Sequence, residues 1–168
     1  AVPCRVQSGR DGSGSWDEGL VQELLCIGST PEPTAVSAVL ARFFGGHGPE
    51  PRATTRLLTS LARKARSDLV DLVIQWLRTI GSEVNHFHYN ALLNAHAKGN
   101  TWIQALDLLG AMGRSRLDVN TIAYSATITA CEKACEWGTA LGLLGEMRQR
   151  RVELDTITYS SVISACEK

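Results

Sequence analysis

Apolar side chains along the chain recur at spacings of three and four residues, the pattern of amphipathic helices. The clearest stripes lie in two segments 35 residues apart, namely Ala105, Leu106, Leu109 and Met112, and Ala140, Leu141, Leu144 and Met147. No segment shows the convincing alternation of polar and apolar residues expected of a β-strand. The sequence therefore predicts an all-α fold.

A short motif occurs three times, with aligned residues 35 apart. It begins at Asn85 (NHFHYNALLNAHAK), Asn120 (NTIAYSATITACEK) and Asp155 (DTITYSSVISACEK). A fixed period of about 20 to 50 residues is typical of solenoids, in which each unit buries its apolar face against neighbouring units. We therefore interpret the chain as a stack of similar units.

Each clear unit is predicted to contain two helices, the first over about 122–133 and the second over about 137–150. Asn85, Asn120 and Asp155 stand where a helix N-cap belongs. The recurring tyrosines, the leucine and methionine stripes and the two tryptophans that open the second helices are predicted to be core. These aromatic residues are Tyr89, Tyr124 and Tyr159, with Trp102 and Trp137.

The remaining chain divides around these units. Residues 1–14 read as a flexible N-terminal segment, and 15–50 as a helical cap or very degenerate repeat with helices over 17–27 and 33–44. Residues 51–84 form a divergent repeat, 85–119 and 120–154 complete repeats, and 155–168 the first helix of a truncated repeat. The truncation and the initial Ala lead us to expect a fragment, whose last helix frays or self-associates.

The two halves of the divergent repeat align with the next repeat, 85–119, at two different shifts. Shifted by 34 residues, Leu57, Leu58 and Lys64 align with Ala91, Leu92 and Lys98. Shifted by 35, Val73, Ile74 and Leu77 align with Leu108, Leu109 and Met112. This difference predicts a one-residue deletion between the two helices of the repeat.

Composition limits the possible functions. The 168 residues are 44% hydrophobic, and 17 basic residues balance 17 acidic ones, so nucleic-acid affinity must come from local patches. One basic cluster occurs in the divergent repeat: Arg52, Arg56, Arg63, Lys64 and Arg66. Either it attracts a polyanion or it is a solvated helix surface.

The five cysteines do not have the paired spacings of a disulfide framework, and they indicate a reducing compartment. Cys131 and Cys135 lack the further ligands of a tetrahedral metal site, so we expect no metal and no cofactor. No apolar run approaches the ~20 residues that cross a bilayer, so we expect no membrane association.

A polar stripe accompanies the apolar face of each first helix. Ser125, Thr129 and Glu132 form it in one unit, and the counterparts are Asn90, Asn94 and Ala97 before it and Ser160, Ser164 and Glu167 after it. Equivalent helices of a solenoid line one surface, so these residues should form parallel rungs. Small amides and hydroxyls in such an array suit the hydrogen-bonding edges of bases.

The 35-residue helix pair, the TYS or YNALL opening, the ACEK ending and the ALxLLxEM second helix resemble the pentatricopeptide repeat family. The resemblance is strongest over 85–168. It implies a right-handed α-solenoid of antiparallel helix pairs, a superhelix like that of tetratricopeptide repeats. The sequence departs from the family at the unit boundary, where Val119 and Leu154 replace a frequent proline.

The resemblance also implies binding of single-stranded RNA, one base per repeat. It assigns base selection to Asn90 with Asn120, to Ser125 with Asp155, and to Ser160. The implied preferences are C or U, then G, then a purine. The bases would be sandwiched by Phe87, Ile122 and Ile157, and the phosphates approached by Lys98, Lys133 and Lys168.

Simpler explanations compete with each of these roles. Asn120 and Asp155 cap helices with or without RNA, and the recurrent lysines suit the negative end of a helix dipole. A protein-binding scaffold like the tetratricopeptide family is the alternative function. No HxE with CxxC and no carboxylate cluster points to catalysis, so we expect no enzyme and no small-molecule substrate. The family further implies a mitochondrion or chloroplast and protein partners in RNA processing, stability, editing or translation.

Overall fold

The computed structural model of the protein describes residues 15–28, 31–45, 50–114 and 117–167. These ranges contain nine α-helices and no strand, which confirms the all-α prediction. The helices are α1 (Ser15–Cys26), α2 (Pro33–Phe44), α3 (Pro51–Arg63), α4 (Ser67–Thr79), α5 (His86–Gly99), α6 (Trp102–Arg114), α7 (Thr121–Lys133), α8 (Trp137–Gln149) and α9 (Thr156–Glu167). The predicted flexible segment 1–14 and Lys168 lie outside the described residues.

The helices form antiparallel pairs stacked in two rows, as in an α-solenoid. The first-helix row contains α1, α3, α5, α7 and α9, and each member packs against the next. The second-helix row contains α2, α4, α6 and α8. Of these, α4, α6 and α8 pack mainly against first helices, and α2 also packs against α4. The first-helix row is therefore the more continuous surface.

The divergent repeat keeps the 35-residue period throughout. First helices α3, α5, α7 and α9 begin at residues 51, 86, 121 and 156, and second helices α4, α6 and α8 at 67, 102 and 137. The expected one-residue deletion is therefore wrong. In the structural register, Leu57 and Leu58 match Leu92 and Leu93, and Arg63 matches Lys98.

The turns between paired helices explain why sequence alignment misplaced this repeat. Each turn contains a residue in the left-handed region, and these residues are also 35 apart: Ala65 (φ 55°), Asn100 (φ 58°) and Cys135 (φ 60°). Glycine and asparagine are the usual residues at such a position. Neither Ala65 nor Cys135 is of these types, and the divergent repeat also lacks the recurring Tyr that aligns the other first helices.

Two clusters of buried apolar residues meet at α5. Ala91, Leu92 and Ala95 join the cluster of α1 to α4, whereas Tyr89 and Leu93 join the cluster that extends to α9. Helix α5 is thus buried on several sides, which continuous stacking requires. The predicted core positions of Tyr89 and Tyr124 are confirmed, and burial raises the pKa of Tyr124 to about 12.

Two aromatic residues differ from their predicted core positions. Trp137 is 58% exposed because it starts α8 at the outer end of the second-helix row, whereas Trp102 is half-buried against the core. Tyr159 is 46% exposed. Its buried counterpart Tyr124 lies beside Glu146 of α8.

Candidate nucleic-acid interface

The second residue of α3, α5, α7 and α9 has an exposed side chain. Phe87, Ile122 and Ile157 occupy this position in α5, α7 and α9 and are 57%, 54% and 65% exposed. Single exposed apolar side chains are common on protein surfaces, so the informative feature is that these three recur at the same helical position. In α3 the equivalent residue is Arg52. We call Arg52, Phe87, Ile122 and Ile157 the platform residues.

The predicted N-caps are all formed, and each uses only part of its side chain. One oxygen of Asn85, Asn120 and Asp155 accepts a backbone N–H from His88, Ala123 and Thr158, respectively. The Nδ2 groups of both asparagines and Oδ2 of Asp155 make no hydrogen bond within the described part of the chain. Capping therefore fixes each side chain and leaves a donor or an acceptor available.

Asp155 is held in its ionised form. Its Oδ1 accepts hydrogen bonds from Thr158 Oγ1 at 2.6 Å and from the Thr158 backbone N–H at 2.8 Å. These bonds favour the carboxylate and lower the pKa of Asp155 below its ordinary value. At neutral pH the position is consequently an acceptor without a proton to donate.

The residue after each recurring tyrosine faces the same surface in two units. Ser160 is exposed, and Ser125 is half-buried with its hydroxyl donating to the Ile122 carbonyl oxygen at 3.1 Å. Because the Ser125 proton is engaged within the helix, the oxygen lone pairs remain to accept a hydrogen bond. Ser125 therefore presents an acceptor.

Asn90 differs from its predicted exposed position, because it is only 7% exposed against its neighbours. Its Oδ1 atom is buried and has no hydrogen-bond partner among the described residues. Buried acceptors in proteins are nearly always paired, and an unpaired one costs about 1–3 kcal/mol. The site thus contains an acceptor that a bound donor would satisfy.

The structure adds one position in the divergent repeat, which the predicted alignment had placed out of register. In the 35-residue register, Thr55 of α3 matches Asn90, Ser125 and Ser160. Its hydroxyl donates to the Pro51 carbonyl oxygen at 2.9 Å, as the Ser125 hydroxyl donates within α7. The shift of 34 residues had hidden this equivalence by aligning Thr55 with Tyr89. We call Thr55, Asn90, Ser125 and Ser160 the edge residues.

An open groove of about 780 Å³ lies over α3. The wall formed by α3 contributes Arg52, Thr55, Arg56, Thr59, Ser60 and Arg63, and α5 and α1 contribute Asn85, Phe87 and Glu18. The groove therefore brings together two platform residues, one edge residue and one cap. We call it the α3 groove.

The recurring basic residue at the end of each first helix is not equivalent in all units. Lys98 is exposed, and the same position in α3 is Arg63. Lys133 instead donates to the carbonyl oxygen of Ala97 in α5 at 2.8 Å. Lys133 thus connects two repeats, and the predicted contact of Lys168 lies outside the described residues.

The rest of the polar stripe also links helices. Ser164 Oγ donates to Glu132 Oε1 at 2.8 Å, and the hydroxyls of Thr129 and Ser161 lie 3.2 Å apart, so both pairs join α7 to α9. These contacts account for Thr129, Glu132 and Ser164 without a ligand. The ends of the first helices that carry platform, edge and cap residues are the better candidate surface.

Within the described ranges, no group of three or more His, Cys, Asp or Glu residues could hold a metal ion. None of the described helices combines the length and the apolar character that crossing a membrane requires.

A family model described as "Pentatricopeptide repeat-containing protein" matches residues 53–168 of the chain. No curated protein matches the sequence significantly.

Two solved structures share the fold. One is the crystal structure of the pentatricopeptide repeat protein PPR10 in complex with an 18-nt psaJ RNA element, and the other is a cysteine-to-serine variant of PPR10 in complex with that element. Each matches with a TM-score of 0.61 and 19% sequence identity over 89% of the chain. The chain spans 24% of the length of those proteins.

Proposed function

The chain belongs to the pentatricopeptide repeat family, and on that premise we propose that it binds single-stranded RNA and selects bases, one per repeat. The observation that carries this proposal is the set of cap residues. Each cap is fixed by its helix yet keeps one polar group without a hydrogen bond among the described residues. A fixed, unpaired donor or acceptor discriminates among bases because a mismatched edge leaves it unsatisfied.

The pair of Ser125 and Asp155 suits guanine. Ser125 presents hydroxyl lone pairs, and Asp155 presents a carboxylate oxygen, so the pair offers two acceptors. Guanine carries N1–H and N2–H₂ donors side by side on its Watson–Crick edge. Adenine would place its N1 lone pair against these oxygens and is disfavoured.

The pair of Thr55 and Asn85 suits adenine. Thr55 presents an acceptor and Asn85 presents its Nδ2 donor. Adenine has the complementary combination, an N6–H₂ donor beside the N1 acceptor. This repeat precedes the repeat that we expect to bind C or U. The expected RNA sequence therefore gains one base at its 5′ end.

The pair of Asn90 and Asn120 offers one acceptor and one donor, as Thr55 and Asn85 do, and the family resemblance, not this hydrogen-bond pattern, favours a pyrimidine over adenine here. The unpaired Oδ1 of Asn90 accepts a hydrogen bond, and Nδ2 of Asn120 donates one. Cytosine offers an N4–H₂ donor beside the N3 acceptor, and uracil offers N3–H beside its carbonyl oxygens. With a purine at Ser160, the expected sequence is 5′-A-(C or U)-G-purine-3′, with its 5′ end toward α3.

The platform residues complete the site. Successive platform residues lie on successive first helices, which pack against each other. A base inserted between two successive platform residues would therefore be covered on both faces. Phe87 is the aromatic member, and stacking of a base on an aromatic side chain contributes about 1–3 kcal/mol without selecting sequence. We assign attraction of the phosphates to the exposed Lys98 and Arg63, whereas Lys133 donates to the Ala97 carbonyl oxygen.

In keeping with the family, we place this binding in a mitochondrion or chloroplast, where it would serve RNA processing, stability, editing or translation together with protein partners. We assign no catalytic step to this chain.

Equilibrium binding of short RNAs tests the proposal. An RNA containing ACGA should bind more tightly than one containing AAAA at every salt concentration, because AAAA lacks the guanine that suits Ser125 with Asp155 and the pyrimidine that the family resemblance assigns to Asn90 with Asn120. The two affinities should fall in parallel as salt rises, since phosphate contacts are shared. Equal affinities for both RNAs would refute base selection, and absence of binding would favour the protein scaffold.

A further inference from the structure

His88 completes the N-cap of α5 from inside the protein. It is the third residue of the helix, and only 1% of it is exposed. Its Nδ1 atom accepts a hydrogen bond of 3.4 Å from the Asn85 backbone N–H, and the Asn85 Oδ1 atom accepts one of 3.2 Å from the His88 backbone N–H. This reciprocal arrangement is a capping box, which satisfies two backbone donors at the start of the helix.

The other described first helices lack an imidazole at this position. The third residue is Ala53 in α3 and Ala123 in α7, and neither side chain can accept a hydrogen bond. In α9 it is Thr158, whose hydroxyl donates to Asp155. Asn85 is therefore the one described cap residue whose orientation depends on a histidine ring.

A second proton on the His88 ring would break the capping box. A neutral imidazole accepts through one ring nitrogen and donates through the other, so an accepting Nδ1 places the proton on Nε2. Nε2 is buried and makes no hydrogen bond within the described part of the chain. Protonation of Nδ1 would turn the acceptor into a donor that faces the Asn85 N–H. Both donors would then lack a partner.

The surroundings of His88 favour the neutral ring. Burial lowers the pKa of His88 below its ordinary value, the Pro51 backbone offsets this in part, and the charge of His86 lowers it further. Helices α3, α4, α6 and α7 pack against α5, and their described residues bring no ionisable group whose charge acts on this ring. The capping box is consequently formed at neutral pH.

The residue held by this box lines the α3 groove. Asn85 lies there with Thr55 and Phe87, and in the proposed function its Nδ2 atom donates to the base that Thr55 also contacts. Residue 88 fixes Asn85 twice, through the side-chain oxygen and through the backbone N–H. A polar group discriminates between bases only while neighbouring contacts fix its direction.

We infer that His88 is a positioning residue for base selection, which holds Asn85 in the orientation that reads the first base and releases it when the ring is protonated. This inference rests on the proposed function, because it takes Asn85 and Thr55 as the residues that select that base. It adds that recognition by this repeat depends on pH, whereas recognition by Ser125 with Asp155 does not.

Competition among three RNAs over a range of pH tests this inference. ACGA and GCGA differ at the base assigned to Thr55 with Asn85, and ACGA and ACAA differ at the base assigned to Ser125 with Asp155. Between pH 7.5 and pH 5.0, the preference for ACGA over GCGA should fall about two- to tenfold, as the loss of one hydrogen bond predicts. The preference for ACGA over ACAA should stay constant, because the pKa of Asp155 lies below its ordinary value and its carboxylate stays ionised.

Two substitutions of His88 separate its acceptor from its charge. Glutamine is a usual third residue of a capping box, so His88→Gln keeps an acceptor that does not titrate and should prefer ACGA over GCGA at every pH. His88→Leu has no acceptor and should show the weaker preference at every pH. His86→Gln is the matched control, because it removes the neighbouring imidazole but leaves the capping box, and it should retain the pH dependence.

A preference for ACGA over GCGA that stays constant with pH, or that varies equally in His88→Gln, overturns the inference. An undiminished preference in His88→Leu overturns it as well. The ratio for ACGA and ACAA shows in each case that the protein is folded and still reads a base. Failure of the proposed function has a different signature, because ACGA, GCGA and ACAA would then bind equally at pH 7.5. That result would overturn both proposals.

Discussion

The ammonium group of Lys133 on α7 donates a hydrogen bond of 2.8 Å to the carbonyl oxygen of Ala97 on α5. Ala97 lies in the last turn of its helix, where carbonyl oxygens have no partner within the helix. The lysine therefore satisfies an unpaired acceptor of the preceding repeat. Of the recurring lysines, Lys133 thus connects two repeats.

Replacing Lys133 with methionine should lower the free energy of unfolding by about 1 kcal/mol, because the Ala97 carbonyl loses a charged donor. Urea denaturation measures the change. Lys98→Met is the matched control and should change stability by less, while reducing the salt dependence of RNA binding by about one counterion. Equal destabilisation by the two substitutions would contradict the distinct roles assigned to these lysines.

Replacing Gly142 with alanine should stabilise the protein by about 0.5–1 kcal/mol. The glycine lies inside α8, and a Cβ atom added there would meet no atom within 4 Å. Alanine removes the entropic penalty of a helical glycine without strain. Thermal denaturation tests this. Gly81→Ala should instead lower the melting temperature, because Gly81 has a φ of 71°, which favours glycine. A lower melting temperature for Gly142→Ala would contradict the expected open space.

The stability of the fold should depend on pH through His88. Burial lowers the pKa of this imidazole below its ordinary value, an effect that the Pro51 backbone partly offsets. The folded chain therefore binds the proton less readily than the unfolded chain, and stability is lost as pH falls below about 6.5. Urea midpoints between pH 7.5 and 5.5 measure the loss. His88→Gln should flatten this dependence, and an unchanged slope in the variant would exclude His88 as its source.

The sequence predicted the repeat architecture well because helical periodicity and N-caps are local signals. Asn85, Asn120 and Asp155 cap their helices as expected, and Tyr89 and Tyr124 are buried. The register of α3 was not predictable in the same way. Its turn has a left-handed alanine, Ala65, in place of a residue type that marks such turns.

Burial within the candidate site depends on neighbouring helices and cannot be read from one helix alone. Asn90 and Ser160 occupy equivalent positions, yet Asn90 is buried and Ser160 is exposed. Helix α5 has first helices on both sides, whereas α9 packs against α7 on one side only. Likewise, the bond from Lys133 to Ala97 joins residues 36 apart, and helical periodicity gives no indication of it.

Exchanging Ser125 for asparagine should change the preferred base of its unit from guanine to uracil. The new side chain adds an amide donor beside the Asp155 acceptor, and uracil presents a carbonyl oxygen beside its N3–H. Competition between ACGA and ACUA for the variant measures the preference. If guanine remains preferred, the residue at position 125 is structural and does not read the base.

The exchange of Asp155 for asparagine tests base selection most directly. Asparagine caps a helix about as well as aspartate, so α9 should be retained. The substitution replaces the Oδ2 acceptor of Asp155 with an amide Nδ2 donor. Together with Ser125, position 155 would then offer one acceptor and one donor, as Thr55 and Asn85 do. The decisive measurement is the ratio of affinities for ACGA and ACAA in both proteins. We predict that the original chain prefers ACGA and that Asp155→Asn prefers ACAA, whereas an identical ratio in the two proteins would contradict base selection by the cap residues.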